Sequence, residues 1–258
     1  MTRHAALFSL SILALLPAGG AGAEEALVAV AANFAGAAEA MVPVFHAATG
    51  HDLVLTTGST GKLYAQIGAG APFDVMLSAD FATPERLVAE GKAEAASLRV
   101  YAIGQLALWS PDPAQISGDP AADLARDPAA GGIRHLAIAN PELAPYGAAA
   151  QAALQQLGLW DGVQERLVTG ENIGQTFALV QSGAAEAGFV AASALKAPDV
   201  PAGSVWMVPQ DLFPPIAQGV AILAHGAGNP AAAAFADWLK GPEAAEIMAE
   251  HGYQAGGA

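Results

Sequence analysis

Apolar runs of strand length alternate with helix-length stretches from Leu27 onward, and this alternation limits the fold more than any other feature of the chain. Residues 27–32, 52–56 and 74–78 read as strands. Residues 35–49 (closed by Gly50), 61–68 and 84–91 read as the helices that follow them. A βαβαβα order predicts a parallel sheet with helices on both faces. After a Pro/Asp/Gly-rich loop at 111–119 the pattern restarts. Strands are expected at 136–139, 167–168, 187–190 and 205–208, with helices at 147–157 and 174–182 and two terminal helices at 229–240 and 242–250. Two such series predict an α/β chain of two lobes, each a doubly wound, mostly parallel sheet. The long strand-like runs 101–110 and 216–224 are the expected crossings between lobes, and so the expected hinge. That assigns 24–102 and 219–258 to a discontinuous lobe 1, and 103–218 to lobe 2.

Residues 1–23 read as an export signal rather than as fold. Arg3 and His4 make a short basic start, and residues 5–16 are a mostly apolar run too short to span a bilayer as a helix. Ala21-Gly22-Ala23 fits a signal-peptide cleavage site, so the mature chain is expected to begin near Glu24 and to reside in the periplasm. There is no cysteine, which excludes a cysteine-linked lipid anchor, disulfides and thiol chemistry. Losing the signal removes one arginine and no acid, taking the formal net charge from −14 to −15. Such a surface disfavours nucleic acid and anionic lipid, and neither is expected as a partner. It also disfavours an anionic ligand at long range, so an anion site here would have to rely on local dipoles.

Four strand-to-helix turns offer such dipoles. They are Ala32-Asn33-Phe34, Gly58-Ser59-Thr60-Gly61-Lys62, Leu143-Ala144-Pro145-Tyr146-Gly147 and Gly170-Glu171-Asn172-Ile173-Gly174. A helix start presents unpaired N–H groups and a partial positive charge, which suits an anion without any cationic side chain. In open parallel sheets, ligands bind beyond the carboxyl ends of the strands. Two of the turns fall in each lobe, so all four are expected to face one cleft. Asn33, Ser59, Thr60 and Asn172 are also ordinary capping residues, and capping alone would account for any one of them. Glycines beside Ser59 and Thr60 let the backbone approach a ligand closely. Lys62, in the second helix's first turn, is expected to point at solvent.

Other chemistries fit the sequence less well. The Gly58–Lys62 turn is not a phosphate-binding P-loop, because Thr56 and Leu63 break the required pattern. Ser59-Thr60-Gly61-Lys62 satisfies the S-x-x-K nucleophile pattern of acyl-transfer enzymes, but the companion motifs are missing. His46, His51, His135, His225 and His251 lack metal-ligand spacing, and no resident metal ion or cofactor is expected. None of Arg86, Arg99, Arg126, Arg134 or Arg166 lies in the four turns, although an arginine would be the usual partner of an amino acid's carboxylate.

These residues resemble the periplasmic molybdate-binding proteins of molybdate ABC transporters. The resemblance runs through Val28-Ala-Val-Ala-Ala-Asn33-Phe34, Thr57-Gly-Ser-Thr-Gly-Lys-Leu-Tyr-Ala-Gln-Ile67 and Gly70-Ala-Pro-Phe-Asp74. It continues through Leu136-Ala-Ile-Ala-Asn-Pro141, Ala144-Pro-Tyr-Gly-Ala148, Gly170-Glu-Asn-Ile-Gly-Gln175 and Trp238-Leu-Lys-Gly-Pro-Glu-Ala-Ala-Glu246.

The resemblance implies the two-lobed type II periplasmic binding protein fold and a role in transport rather than catalysis. The ligand would be molybdate or tungstate, delivered by a monomer to a membrane permease with an ATPase behind it. The implied contacts are Asn33 with Ala32 beside it, Thr60 with Ser59 adjacent, and the backbone at Tyr146 and Ile173. Gly188-Phe-Val-Ala191 puts alanine where some members carry a further tyrosine donor. Neutral donors would tolerate a dianion despite the acidic surface, each charge-assisted bond contributing roughly 1.5–3 kcal/mol. A pocket without a carboxylate acceptor would reject protonated phosphate, whose hydroxyl would lack a partner. Sulfate, alike in charge and shape, remains the alternative ligand, separable only by size.

Overall fold

The computed structural model describes residues 24–256, so the expected signal segment 1–23 lies outside the described residues. In the first half of the chain, β1 (Glu25–Ala31) leads to α1 (Ala35–Thr49), β2 (Asp52–Gly58) to α2 (Thr60–Gly68), and β3 (Val75–Leu77) to α3 (Ala82–Ala89). Then come β4 (Arg99–Gly104), β5 (Leu106–Ser110), α4 (Pro120–Ala125), β6 (Leu136–Ala139), α5 (Pro145–Gln156) and α6 (Trp160–Val163). They are followed by β7 (Leu167–Gly170), α7 (Ile173–Gln181), β8 (Ala187–Ala191), β9 (Ser204–Met207) and β10 (Ile216–Ile222). The chain closes with α8 (Pro230–Trp238), α9 (Pro242–Glu250) and β11 (Gln254–Ala255).

The strands form two sheets, in the orders β11-β4-β10-β3-β1-β2 and β7-β6-β8-β5-β9. The α/β architecture of two lobes is the one the alternation implied. The sheets are mixed, however, not mostly parallel. Strands β2, β1 and β3 run parallel, as do β7, β6 and β8, but β10 is antiparallel to both its neighbours and so is β5. The cause is the crossing itself. Strands that lead into helices at the cleft all run toward it. A strand that has just crossed enters its sheet from the cleft, and must run the other way.

The run 101–110 is two strands, one in each sheet, with Gln105 between them. By contrast, 216–222 lies wholly in the first sheet, paired with β4 from Ile216↔Gly104 onward. The return passage therefore lies between Met207 and Ile216, and the expected boundaries at 102/103 and 218/219 fall inside β4 and β10.

Side chains alternate across each sheet, as a strand's period of two requires. Val28 and Val30 pack with Met41 and Phe45 of α1 and Phe235 of α8, while Ala29 turns to Leu63, Met76 and Leu87 on the opposite face. In the second lobe Leu106 and Leu108 pack with Ile138, Leu154 and Phe189. Ala107 and Trp109 turn instead to Val180 and Phe177. Each lobe thus has a rigid two-faced core, and the loops at the strand ends are held to it.

Candidate anion-binding site

Four helix starts converge on one small cavity between the lobes. Ala32, Asn33, Ser59, Thr60, Tyr146 and Ile173 all line it, together with Ala79, Ala144 and Asn172 among others, and the free space inside it is only about 10 Å³. The four turns singled out in the sequence therefore do meet. No charged side chain lines the cavity. The cavity is far below the roughly 300 Å³ at which sites for drug-sized molecules begin.

The way each helix begins decides what it offers. At α7, Asn172 does what its residue type suggests, its Oδ1 accepting the Gln175 N–H at 2.9 Å. That cap leaves the Ile173 N–H, the first of the helix, without an intrahelical acceptor. At α5, Ala144 has no capping side chain and Pro145 has no N–H. The Gly147 and Ala148 N–H groups both donate to Ala144 O, at 2.9 and 3.1 Å. Tyr146 is thus the first residue of α5 with an N–H to give.

At α2, Ser59 occupies the capping position and makes no capping bond. Its side chain is buried, at 3% exposure, and Oγ has no partner among the described residues. Elsewhere Asp119, Asp127 and Asn229 do accept from the helices they start. Thr60 behaves differently from its neighbour: its Oγ1 accepts the Ala79 N–H at 3.1 Å and ties the turn to the end of β3. The two hydroxyls, equivalent by residue type, are thus separated by their bonds. Ser59 is the one left facing the cavity without a protein partner, and Thr60 braces it.

Asn33 also departs from expectation. Its Nδ2 donates to Gln218 Oε1 at 2.7 Å and to the Tyr253 hydroxyl at 3.3 Å, so the amide is held inside the first lobe. What the first turn has left for the cavity is backbone. The Asn33 carbonyl accepts from both the Tyr253 hydroxyl and the Ser193 hydroxyl of the second lobe.

Gln218 and its neighbours form a buried polar cluster that the sequence analysis missed. Gln218 is fully buried, and Oε1 also accepts from the Tyr101 hydroxyl at 3.1 Å. The available signal was a lone polar residue inside the apolar strand β10, at the position of a bulge. Tyr146 enters the cluster from the second lobe. Its hydroxyl lies against Gly104, where a Cβ would stand 2.1 Å away, and the Gln218 amide nitrogen would be 3.0 Å from the same point. Burial pushes the Tyr101 and Tyr146 hydroxyls well above the ordinary tyrosine range and Tyr253 up to about 12. All three stay neutral at neutral pH.

Lys62 does not simply face solvent. Its Nζ reaches across the cleft to Glu171 Oε1 at 2.8 Å, with both side chains about half exposed. The reason is that the lobes touch one residue earlier, where the Gly61 N–H donates to Leu143 O at 2.9 Å. The hydrogen bond from Lys62 holds the Glu171 carboxyl below the usual range. With its Nζ engaged by Glu171, Lys62 is badly placed to act as the base of an S-x-x-K nucleophile.

Other ionisable groups tie parts of the fold together. His225 Nδ1 meets buried Asp74 Oδ1 at 2.8 Å, and Arg166 binds the carbonyls of Ile133 and Leu124. Among the described residues, no group of three or more His, Asp or Glu could hold a metal ion. No described helix is long and apolar enough to cross a membrane.

Residues 26–254 match the family described as bacterial extracellular solute-binding protein. The chain is 45% identical over 233 residues to the molybdate-binding protein of Rhodobacter capsulatus, covering 90% of this chain and 89% of that one. It is 44% identical over 253 residues to the molybdate-binding protein of Azotobacter vinelandii, covering 95% and 98%. Among solved structures, the Azotobacter vinelandii periplasmic molybdate-binding protein superposes with a TM-score of 0.84 at 39% identity, over 90% of this chain and 100% of that one.

Proposed function

The chain belongs to the bacterial extracellular solute-binding protein family and, within it, to the periplasmic molybdate-binding proteins, and from that premise we propose how its cleft holds the anion. It is a transport protein, not an enzyme. Molybdate sits in the small neutral cavity between the lobes, and tungstate, of the same charge and shape, binds there too. The donors are the Ser59 hydroxyl, the N–H groups that open α2 (at Thr60), α5 (at Tyr146) and α7 (at Ile173), and the backbone at Ala32 and Asn33. The Thr60 hydroxyl and the Asn33 side-chain amide act one step back, by fixing those turns.

The observation that carries this reading is Ser59. A serine at a helix cap that caps nothing, lining the cavity with a buried hydroxyl that has no partner among the described residues, has its donor free for an anion there. Donors rather than cations explain how a chain of net charge −14 takes a dianion. The long-range field opposes the anion, while fixed dipoles a few ångströms away favour it. The same neutrality selects against phosphate, which at neutral pH carries a proton that needs an acceptor.

The loaded protein, freed of its signal segment 1–23, acts as a monomer and carries the anion to the permease of an ABC importer driven by its ATPase. The lobes open and close about Gln105 and the passage between β9 and β10. Native mass spectrometry of the mature chain after incubation with molybdate or tungstate tests the assignment. One tetraoxoanion per chain is expected. No retained anion would contradict it, as would retention of a sugar or amino acid instead.

A further inference from the structure

We propose that Gly61 is a spacer that fixes the distance between the lobes at the cavity, and thereby the size of oxyanion the protein prefers. The inference rests on the anion-binding reading above and adds a residue that touches no ligand.

The argument begins with the contact itself. Gly61 N–H donates to Leu143 O across the cleft at 2.9 Å. This is backbone on backbone, and neither group can rotate away. Other cross-cleft hydrogen bonds, Lys62 with Glu171 and Ser193 with the Asn33 carbonyl and the Tyr253 hydroxyl, run through side chains that can adjust. The gap at Gly61 is closed already. A Cβ there would stand 3.2 Å from both Cα and O of Leu143 and 3.3 Å from its Cδ2, so the neighbour would have to give by a few tenths of an ångström.

The position of the contact makes that displacement matter. Gly61 follows Ser59 and Thr60 in the same rigid turn, and Leu143 stands three residues before Tyr146. The 143–144 segment is itself pinned, its two N–H groups donating to Asn140 O at 3.1 and 2.9 Å. The spacer and the donors are therefore mounted on the same two rigid pieces, one per lobe. Widening the contact widens the cavity by nearly the same amount. Sulfate and molybdate share charge and shape and differ in size, so a gap set by a hard contact is the means by which such a pocket separates them. Hydrogen bonds to an anion are short and weaken with small stretches. An anion large enough to reach both lobes loses most from a wider gap. A smaller one, already short of one lobe, loses less.

The test is Gly61→Ala beside the wild type, with calorimetric titration of molybdate and sulfate and a melting curve for each protein. Alanine suits the first turn of a helix, and Gly61 has no left-handed backbone, so the variant relieves its contact by parting the lobes, not by unfolding. Molybdate affinity is expected to fall about tenfold or more and sulfate affinity by less than about threefold, narrowing the preference, with the melting temperature held. Unchanged molybdate affinity overturns the proposal. So does an equal loss for both anions, which would mean that the alanine penalises closure in general. Leu143→Ala removes only the side-chain part of the contact and should leave the preference as it is. A narrowing as large as that of Gly61→Ala would assign the spacing to side-chain packing, against the proposal. A wild type that binds no molybdate fells the functional reading instead, and is told apart by being measured first.

Discussion

Lys62 of the first lobe and Glu171 of the second meet at 2.8 Å beside the anion cavity, tying α2 to the turn before α7 across the cleft. Both are about half exposed, so the pair is a weak latch and not a source of stability. Lys62→Ala and Glu171→Gln should each weaken molybdate binding severalfold at most, the double variant no further than either single one, and all by less as salt is raised. If Lys62 instead attracted the anion directly, Glu171→Gln would strengthen binding, because it removes a negative charge near the site. Titrations of the four proteins at two ionic strengths separate these outcomes.

Ser59 and Thr60 should respond oppositely to truncation. Ser59→Ala removes a donor that has no protein partner, so affinity is expected to fall by about 1–3 kcal/mol, roughly ten- to a hundredfold, while the melting temperature barely moves. Thr60→Ala leaves the Ala79 N–H without its acceptor, and should cost about 1 kcal/mol of stability with a smaller effect on binding. Paired calorimetry and thermal melts decide. Equal affinity losses at both positions would mean that both hydroxyls bind the anion.

The cluster around Gln218 makes a third prediction. Gln218→Leu keeps the bulk but strips the acceptor from the Asn33 amide and the Tyr101 hydroxyl, both deeply placed. Stability should fall by about 1–3 kcal/mol for each group left unsatisfied. Tyr146→Phe removes a hydroxyl with no partner among the described residues and keeps the backbone N–H, so both stability and affinity should hold. A large affinity loss in Tyr146→Phe would show that the hydroxyl itself reaches the anion. Chemical denaturation and titration of the two variants give the answer.

Tyr146 is the one ionisable side chain that lines the cavity, and burial raises it well above the ordinary tyrosine range, so molybdate affinity should stay nearly flat between about pH 6 and 9. At the acid end the Glu171 carboxyl is held low by its hydrogen bond from Lys62. Its part in closing the cleft is therefore intact above the usual carboxylate range and is lost only as pH falls through that lowered value. At the alkaline end burial raises Tyr101, Tyr146 and Tyr253, so their neutral forms favour the fold. That contribution is complete below the ordinary tyrosine value of about 10 and fades as pH climbs past it. Melting curves against pH should show the alkaline fall. A step in affinity near pH 7 would point to a histidine that the geometry does not place at the site.

What the sequence disclosed and what it hid follow from the range of the forces involved. Strand-then-helix units such as β1–α1 and β2–α2 are local, and Gly50 marks the end of α1 with the left-handed backbone that glycine favours. The four turns were legible for the same reason. The break at Gln105 was not, because an apolar run looks the same whether it stays in one sheet or passes into a second. The return passage had a readable sign in Pro214-Pro215, which cannot continue a central strand and stands just before β10. Helix α4 had one too, with Asp119 capping and Pro120 at the first helical position. The Asn33–Gln218 bond joins residues 185 apart and the Asn33–Tyr253 bond residues 220 apart, so no local pattern could announce either. Ser59 and Thr60 are alike as residue types, and only the Ala79 N–H, supplied by another strand's end, distinguishes them.

The measurement that bears most directly on the central claim is calorimetric titration of the mature wild-type chain with molybdate, then tungstate, sulfate and phosphate under one buffer and salt. A neutral cavity of donors, sized by two touching lobes, predicts tight one-to-one binding of molybdate and tungstate, much weaker binding of sulfate, and none of phosphate at neutral pH. Sulfate bound as tightly as molybdate, or phosphate bound at all tightly, would contradict the account.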